Sequence, residues 1–125
     1  MNTRLALDSY AKVQYNANIG VATPHQLIQM LYDGAIQRIS QAKGAMQYKQ
    51  IELKGKKINE AILIVGGLRE NLNREEGGDI TANLDALYVY IQRTLAKSHI
   101  NNDKILLDEC SSLLGELGLA WKQIG

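Results

Sequence analysis

The 125-residue chain is short of the residues from which most reactive sites are built. It has one cysteine, Cys110, so no internal disulfide can form and no paired-cysteine spacing exists for a metal or a redox couple. Its two histidines, His25 and His99, fall near the start and the end of predicted helices without companion ligands. The carboxylate and Glu-x-x-His pattern of a di-iron bundle is missing too, so no metal is expected. Charge of one sign is also lacking. Lys and Arg number 14 and Asp and Glu 13, a formal net charge of +1, which leaves no global field to attract nucleic acid or an anionic membrane. No apolar run approaches the roughly 18 residues of a spanning helix. The opening residues lack the basic-then-apolar pattern of a signal peptide. A cytoplasmic protein without direct membrane insertion is therefore expected.

The remaining chemical motifs are weak. The densest basic group, Lys54, Lys56 and Lys57 with Lys49 nearby, has glutamates on either side and reads as a solvated helix start, not as a phosphate-tracking stripe. The pairs Glu75–Glu76 and Asp108–Glu109 read as solvated surface. "GGLREN" and "EEGGD" contain glycines without the spacing or lysine of a phosphate loop. Cys110 falls on a predicted core stripe, where it acts as a small hydrophobe. No enzyme, cofactor or metal is expected.

What the chain does have is helical periodicity. Hydrophobic residues make up 46% and charged residues 22%, ordinary values for a chain that folds around one core. The single proline, Pro24, follows Thr23 as a natural N-cap, and Gln26 completes a capping box. Leu27, Ile28, Leu31, Ala35, Ile39, Ala42 and Met46 then carry a first helix to about residue 48. Gly34 interrupts it, which suggests a close neighbour. Ile51, Ile58, Ala61, Ile62, Val65, Leu68 and Leu72 keep to one face of a second helix, with Leu63 and Ile64 outside that face. "REEGGD" supplies glycines for a reversal and Asp79 or a neighbour as the next cap. Ile80, Leu84, Leu87, Tyr88, Ile91 and Leu95 form the core stripe of a third helix. A fourth, capped by Asn101 or Asn102, has its stripe at Leu106, Cys110, Leu113, Leu117, Trp121 and Ile124.

Four amphipathic segments of roughly 18 to 25 residues joined by connections of about 2 to 8 favour an all-α, antiparallel four-helix bundle. Residues 23–125 are assigned to it. Residues 1–22, with Leu7, Tyr10 and Tyr15, show no long period and are expected to form a mobile apolar arm.

A helix that has buried one stripe should carry charge on its back, yet the back of helix three reads Ala82, Ala86, Val89 and Tyr90. Helix four adds Leu107 and Leu114 beside its stripe, and helix two adds Leu63 and Ile64. A wide core, or the arm packed over these positions, would use up the surplus. The functional reading is a set of shallow grooves for apolar segments of another chain. Ala82, Ala86, Gly115 and Gly118 are small enough to let a partner helix come close. A phosphotransfer bundle is the competing class, but it needs an exposed mid-helix histidine. A self-assembling bundle would spend the surplus on homodimers.

"TPHQLIQMLYDGAI" (Thr23 to Ile36), "REEGGDITANLDALYVYIQRTL" (Arg74 to Leu95), "NND" (Asn101 to Asp103) and "LLGELGLAWKQI" (Leu113 to Ile124), in this order, closely resemble the bacterial flagellar secretion chaperone family FliS. The resemblance covers essentially the whole chain. It implies a four-helix bundle without enzymatic activity that binds the disordered C-terminal segment of flagellin in the cytosol. It also implies that the bundle keeps flagellin from polymerising and that the loaded complex docks on the cytosolic domain of the flagellar export gate. Tyr10, with Leu7 before it, matches the family's N-terminal pattern. Tyr32, Asp33 and Gly34 match its first-helix motif. Gly77, Gly78, Asn83, Leu84, Leu87, Tyr88 and Tyr90 match the third-helix motif, from which Val89 departs. The expected client groove is Leu63, Ile64, Asn83, Ala86, Val89, Tyr90, Leu107 and Leu114, with Leu7, Tyr10 and Tyr15 as a displaceable lid. A homodimer through the same surface is the alternative left open for the client-free state.

Overall fold

A computed structural model describes residues 22–124, the side chains of residues 74–76 excepted. The expected arm, with Leu7, Tyr10 and Tyr15, therefore lies outside the described residues apart from Ala22. Four helices follow one another: α1 (Pro24–Gln47), α2 (Ile51–Glu70), α3 (Arg74–Asn101) and α4 (Lys104–Gln123). Links this short, residues 48–50, 71–73 and 102–103, leave each helix no choice but to run back along its predecessor. The result is the expected antiparallel bundle, in which α1 packs on α2 and α4, and α3 packs on α2 and α4.

Local chemistry sets the ends of the helices. Thr23 caps α1 by accepting from the Gln26 amide (3.1 Å), while the Gln26 side chain accepts from the Thr23 amide (2.8 Å). A box of this kind contributes about 1 kcal/mol. Gly78 adopts φ 52° and ψ −129° and breaks α3 near its start, a left-handed conformation that a side chain would resist. The Thr81 hydroxyl donates to the Asn73 carbonyl (3.1 Å) and closes this corner. Asp103, one residue beyond the expected Asn101 or Asn102, caps α4 through the Ile105 amide (2.9 Å). Asn102 instead takes the left-handed position after α3, with φ 51°.

The core is drawn from all four helices: Leu31, Ala35 and Ile39 on α1, Ile58, Ala61 and Val65 on α2, Tyr88, Ile91 and Leu95 on α3, and Leu107, Cys110 and Leu114 on α4. Two polar contacts pin it. The Tyr32 and Tyr88 hydroxyls hydrogen-bond to each other in the interior. At one pole, the His25 and Trp121 rings stack at 4.7 Å and 9°. His25 Nε2–H donates to the Trp121 carbonyl (2.7 Å), and the indole N–H donates back to the His25 carbonyl (2.9 Å). The start of α1 is thereby fastened to the end of α4.

The stripe of α4 is rotated from the expected one. Leu107, Cys110, Leu114 and Gly118 are buried, while Leu106, Leu113 and Leu117 are half-buried and Ile124 is exposed. The reason is the close approach of α1: a Cβ at Gly118 would lie 3.2 Å from the Cβ of Tyr32. Ile51 and Ile80, assigned to core stripes at the ends of α2 and α3, are likewise exposed. Ile51 opens α2 and Ile80 follows directly on the break at Gly78, each at the end of a regular helical run.

Candidate functional site

The outward surface of α3 is the apolar surplus that the sequence raised as a question. Ala82, Asn83 and Ala86 are exposed, Val89 is half-buried, and Tyr90 is 48% exposed. At 100° per residue Val89 and Tyr90 fall on opposite flanks of this crest, Val89 toward α2 and Tyr90 toward α4. Contacts along the helix agree with that assignment. On the α2 side, Arg69 pairs with Asp85 (2.8 Å) and reaches Gln92 (3.3 Å), and Gln92 donates to the Ile62 carbonyl (3.1 Å). The Asp85 carboxylate, as hydrogen-bond partner, raises the Arg69 pKa further above its ordinary value. On the α4 side, the Tyr90 hydroxyl donates to Glu109.

That last bond shows which α4 residues border the crest. Leu106 and Leu113 lie three before and four after Glu109, on the same helical face, and both are half-buried. Leu87 and Asn83 stand one and two turns before Tyr90 on the facing side of α3. Together they line the seam between α3 and α4, which the Tyr90–Glu109 hydrogen bond crosses. The hydrogen bond to Glu109 raises the Tyr90 pKa above its ordinary value.

Three of the expected groove residues are not on a surface. Leu107 and Leu114 are fully buried, and Ile64 is 6% exposed. Leu107 and Leu114 turn inward because the α4 stripe is rotated toward α1. Ile64 lies one turn after Glu60, which faces Arg38 of α1 (3.5 Å), and is therefore enclosed between α1 and α2. Leu63 is half-buried on the outer side of α2. Leu106 and Leu113, assigned to the core from sequence, border the crest while half-buried, and Leu113 still packs against the core. Their signal was in the pattern: two leucine pairs bracket Cys110, and the pair fully buried is Leu107 with Leu114, leaving Leu106 and Leu113 at the edge of the core.

Among the described residues no group of three or more His, Cys, Asp or Glu side chains is placed to hold a metal, and no helix is long and apolar enough to cross a membrane. Cys110 is buried, its thiol donating to the Ile91 carbonyl (3.7 Å), and burial pushes its pKa up to about 12. A thiol held protonated in this way is a poor nucleophile.

The fold is a small four-helix bundle whose third helix keeps a row of exposed or half-buried small and apolar residues on its outer side. The chain is a member of the FliS family of flagellar secretion chaperones: the family described as "Flagellar protein FliS" matches residues 6–125. It is 45% identical over 119 residues to the flagellar secretion chaperone FliSB of Pseudomonas aeruginosa, covering 95% of this chain and 94% of that protein. The flagellar secretion chaperone FliS of Vibrio cholerae is 39% identical over 121 residues, 97% of this chain and 89% of that one. The corresponding protein of Salmonella typhimurium is 37% identical over 125 residues, 99% and 93% of the two chains.

Proposed function

We propose that this chaperone binds the disordered C-terminal segment of flagellin in the cytoplasm, prevents its premature polymerisation and delivers it to the cytosolic domain of the flagellar type III export gate. The observation that carries this reading is the crest of α3, where Asn83, Ala86 and Tyr90 are exposed and Val89 half-buried, beside the half-buried leucines of α4. Subunits that assemble by burying apolar helical faces are kept apart by a protein that occupies those faces reversibly. A disordered client that orders on binding buries on the order of 1,000–3,000 Å² and loses about 2–5 kcal/mol to ordering. Spreading the contact over Leu63, the α3 crest and the α3–α4 seam keeps each local contact weak and the whole releasable.

The segment 1–22, with Leu7, Tyr10 and Tyr15, serves in this proposal as a lid that the client displaces. Three partly buried side chains supply only a few kcal/mol, so a client with more apolar surface wins. Without a client, the same crest can pair with that of a second copy. Calorimetric titration with a peptide from the flagellin C-terminus tests the reading. Saturable one-to-one binding that abolishes flagellin polymerisation is expected; no binding by the full-length protein would overturn it.

A further inference from the structure

The pole opposite the His25–Trp121 pair carries a feature that the α3 crest does not use. The link 48–50 and the link 102–103 meet there around a hollow of about 390 Å³, walled by Ala45, Met46, Ile51 and Ile100. Ile51 and Ile100 are 71% and 80% exposed, so the apolar wall continues outward instead of closing. Tyr48 on the first link and Ile105 in the first turn of α4 are exposed at the same pole. Lone exposed apolar residues are ordinary, but several around one concavity mark a docking surface.

The charge of this hollow has one sign. Lys49 and Lys54 line it and no carboxylate does. Lys54 is only 5% exposed. Its ammonium donates to the His99 carbonyl (3.3 Å) and to Asn102 Oδ1 (2.9 Å), two neutral acceptors that use two of its three protons. Among the described residues no carboxylate lies within ion-pair distance of it. With two of its three protons on neutral acceptors, the ammonium has one left to offer an incoming acceptor. Beside it, His99 Nδ1 is buried with no hydrogen-bond partner, a second polar atom available at the same place.

We propose that this lysine-lined hollow docks an apolar peptide segment bearing a carboxylate, supplied by a protein other than the client held on the α3 crest. Charge selects this occupant. A second copy would bring lysine against lysine. Residues 1–21 carry Arg4 and Lys12 against Asp8 alone, so they too are net positive. The hollow and the crest can then be occupied together, so a loaded chaperone presents a second, independent handle.

The test uses the full-length protein, isotopically labelled, and a short synthetic peptide of alternating leucine and glutamate with a free C-terminal carboxylate. Saturable amide shifts are expected at Ala45, Ile51, Lys54 and Ile100. The amidated glutamine analogue should bind at least about tenfold more weakly, as should the acidic peptide to Ile100→Asp. Ile51→Asp, on a different helix, provides the second variant. Shifts confined to the α3 crest, equal binding of the neutral peptide, or indifference to both variants would overturn the proposal. So would binding of octanoate without binding of the peptide. Flagellin-peptide affinity should stay unchanged in Ile100→Asp, so failure here is distinguishable from failure at the crest.

Discussion

Tyr32 on α1 and Tyr88 on α3 meet hydroxyl to hydroxyl across the diagonal of the bundle, linking two helices that are not neighbours in the ring. Their rings are tilted by 50° with centroids 6.5 Å apart. Neither Tyr32 nor Tyr88 opens to solvent, so each hydroxyl depends on the other. Tyr88→Phe strands the Tyr32 hydroxyl and should cost about 1–3 kcal/mol in urea unfolding. The double variant to phenylalanine should cost less than the sum of the singles, and strict additivity would show that the bond contributes nothing.

Burial, chiefly, raises the pKa of both tyrosines above the ordinary value of 10.0. An acid whose folded pKa is raised favours the fold while it is protonated in both states. That contribution is whole below about pH 10 and is lost above it, as the unfolded chain ionises first. The denaturation midpoint should therefore fall as pH rises past 10, and the double phenylalanine variant should show a shallower fall.

Two glycines on α4 should respond in opposite directions to alanine. Gly118→Ala places a methyl 3.2 Å from the Tyr32 Cβ, which cannot rotate away. It should destabilise by about 1–3 kcal/mol. Gly115 has no atom within 4 Å of its would-be Cβ, and alanine there should add up to about 1 kcal/mol from helix propensity. Thermal unfolding of the pair decides this; equal shifts would contradict the close approach at Gly118.

Asp108 joins α1 and α4 through Lys43 (2.5 Å) and also pairs with Lys104 (3.1 Å). These hydrogen bonds, Lys43 first, lower its pKa below the ordinary 3.8. Its contribution is present above that value and is lost as pH falls through the lowered one. Asp108→Asn should reduce the difference in stability between pH 6 and pH 2, and an unchanged acid slope would remove the pair from the balance.

On the α3 crest, Ala86→Glu adds charge to an exposed helical position and should change stability by no more than about 0.5 kcal/mol. Affinity for the flagellin peptide should drop by about tenfold or more. Val89→Asp is a less selective probe, because Val89 is half-buried and its loss also costs packing. Calorimetry and thermal melts on the two variants separate binding from folding.

Helix number, direction and most boundaries were legible because period and caps agree, as at Thr23, Pro24 and Gln26. Rotation was not. On α4, Leu106 with Leu113 and Leu107 with Leu114 are equivalent choices around Cys110, and the decision lies in α1, where Tyr32 needs Gly118 against it. Periodicity describes one helix, whereas rotation belongs to a pair. The same limit misplaced Ile64, whose burial depends on α1. The α3 crest was readable because its small and apolar residues sit opposite a stripe with no rival. The lysine-lined pole was invisible, since it joins residues near 50 with residues near 100.

The reciprocal clasp of His25 and Trp121 brings residues 22 and 124 to one pole. The molecule is therefore suited to circular permutation: a short tether could join these ends while the backbone is opened in the exposed link 48–50. Such a rewired chain would keep the α3 crest intact while dismantling the far pole, testing the two surfaces by topology alone.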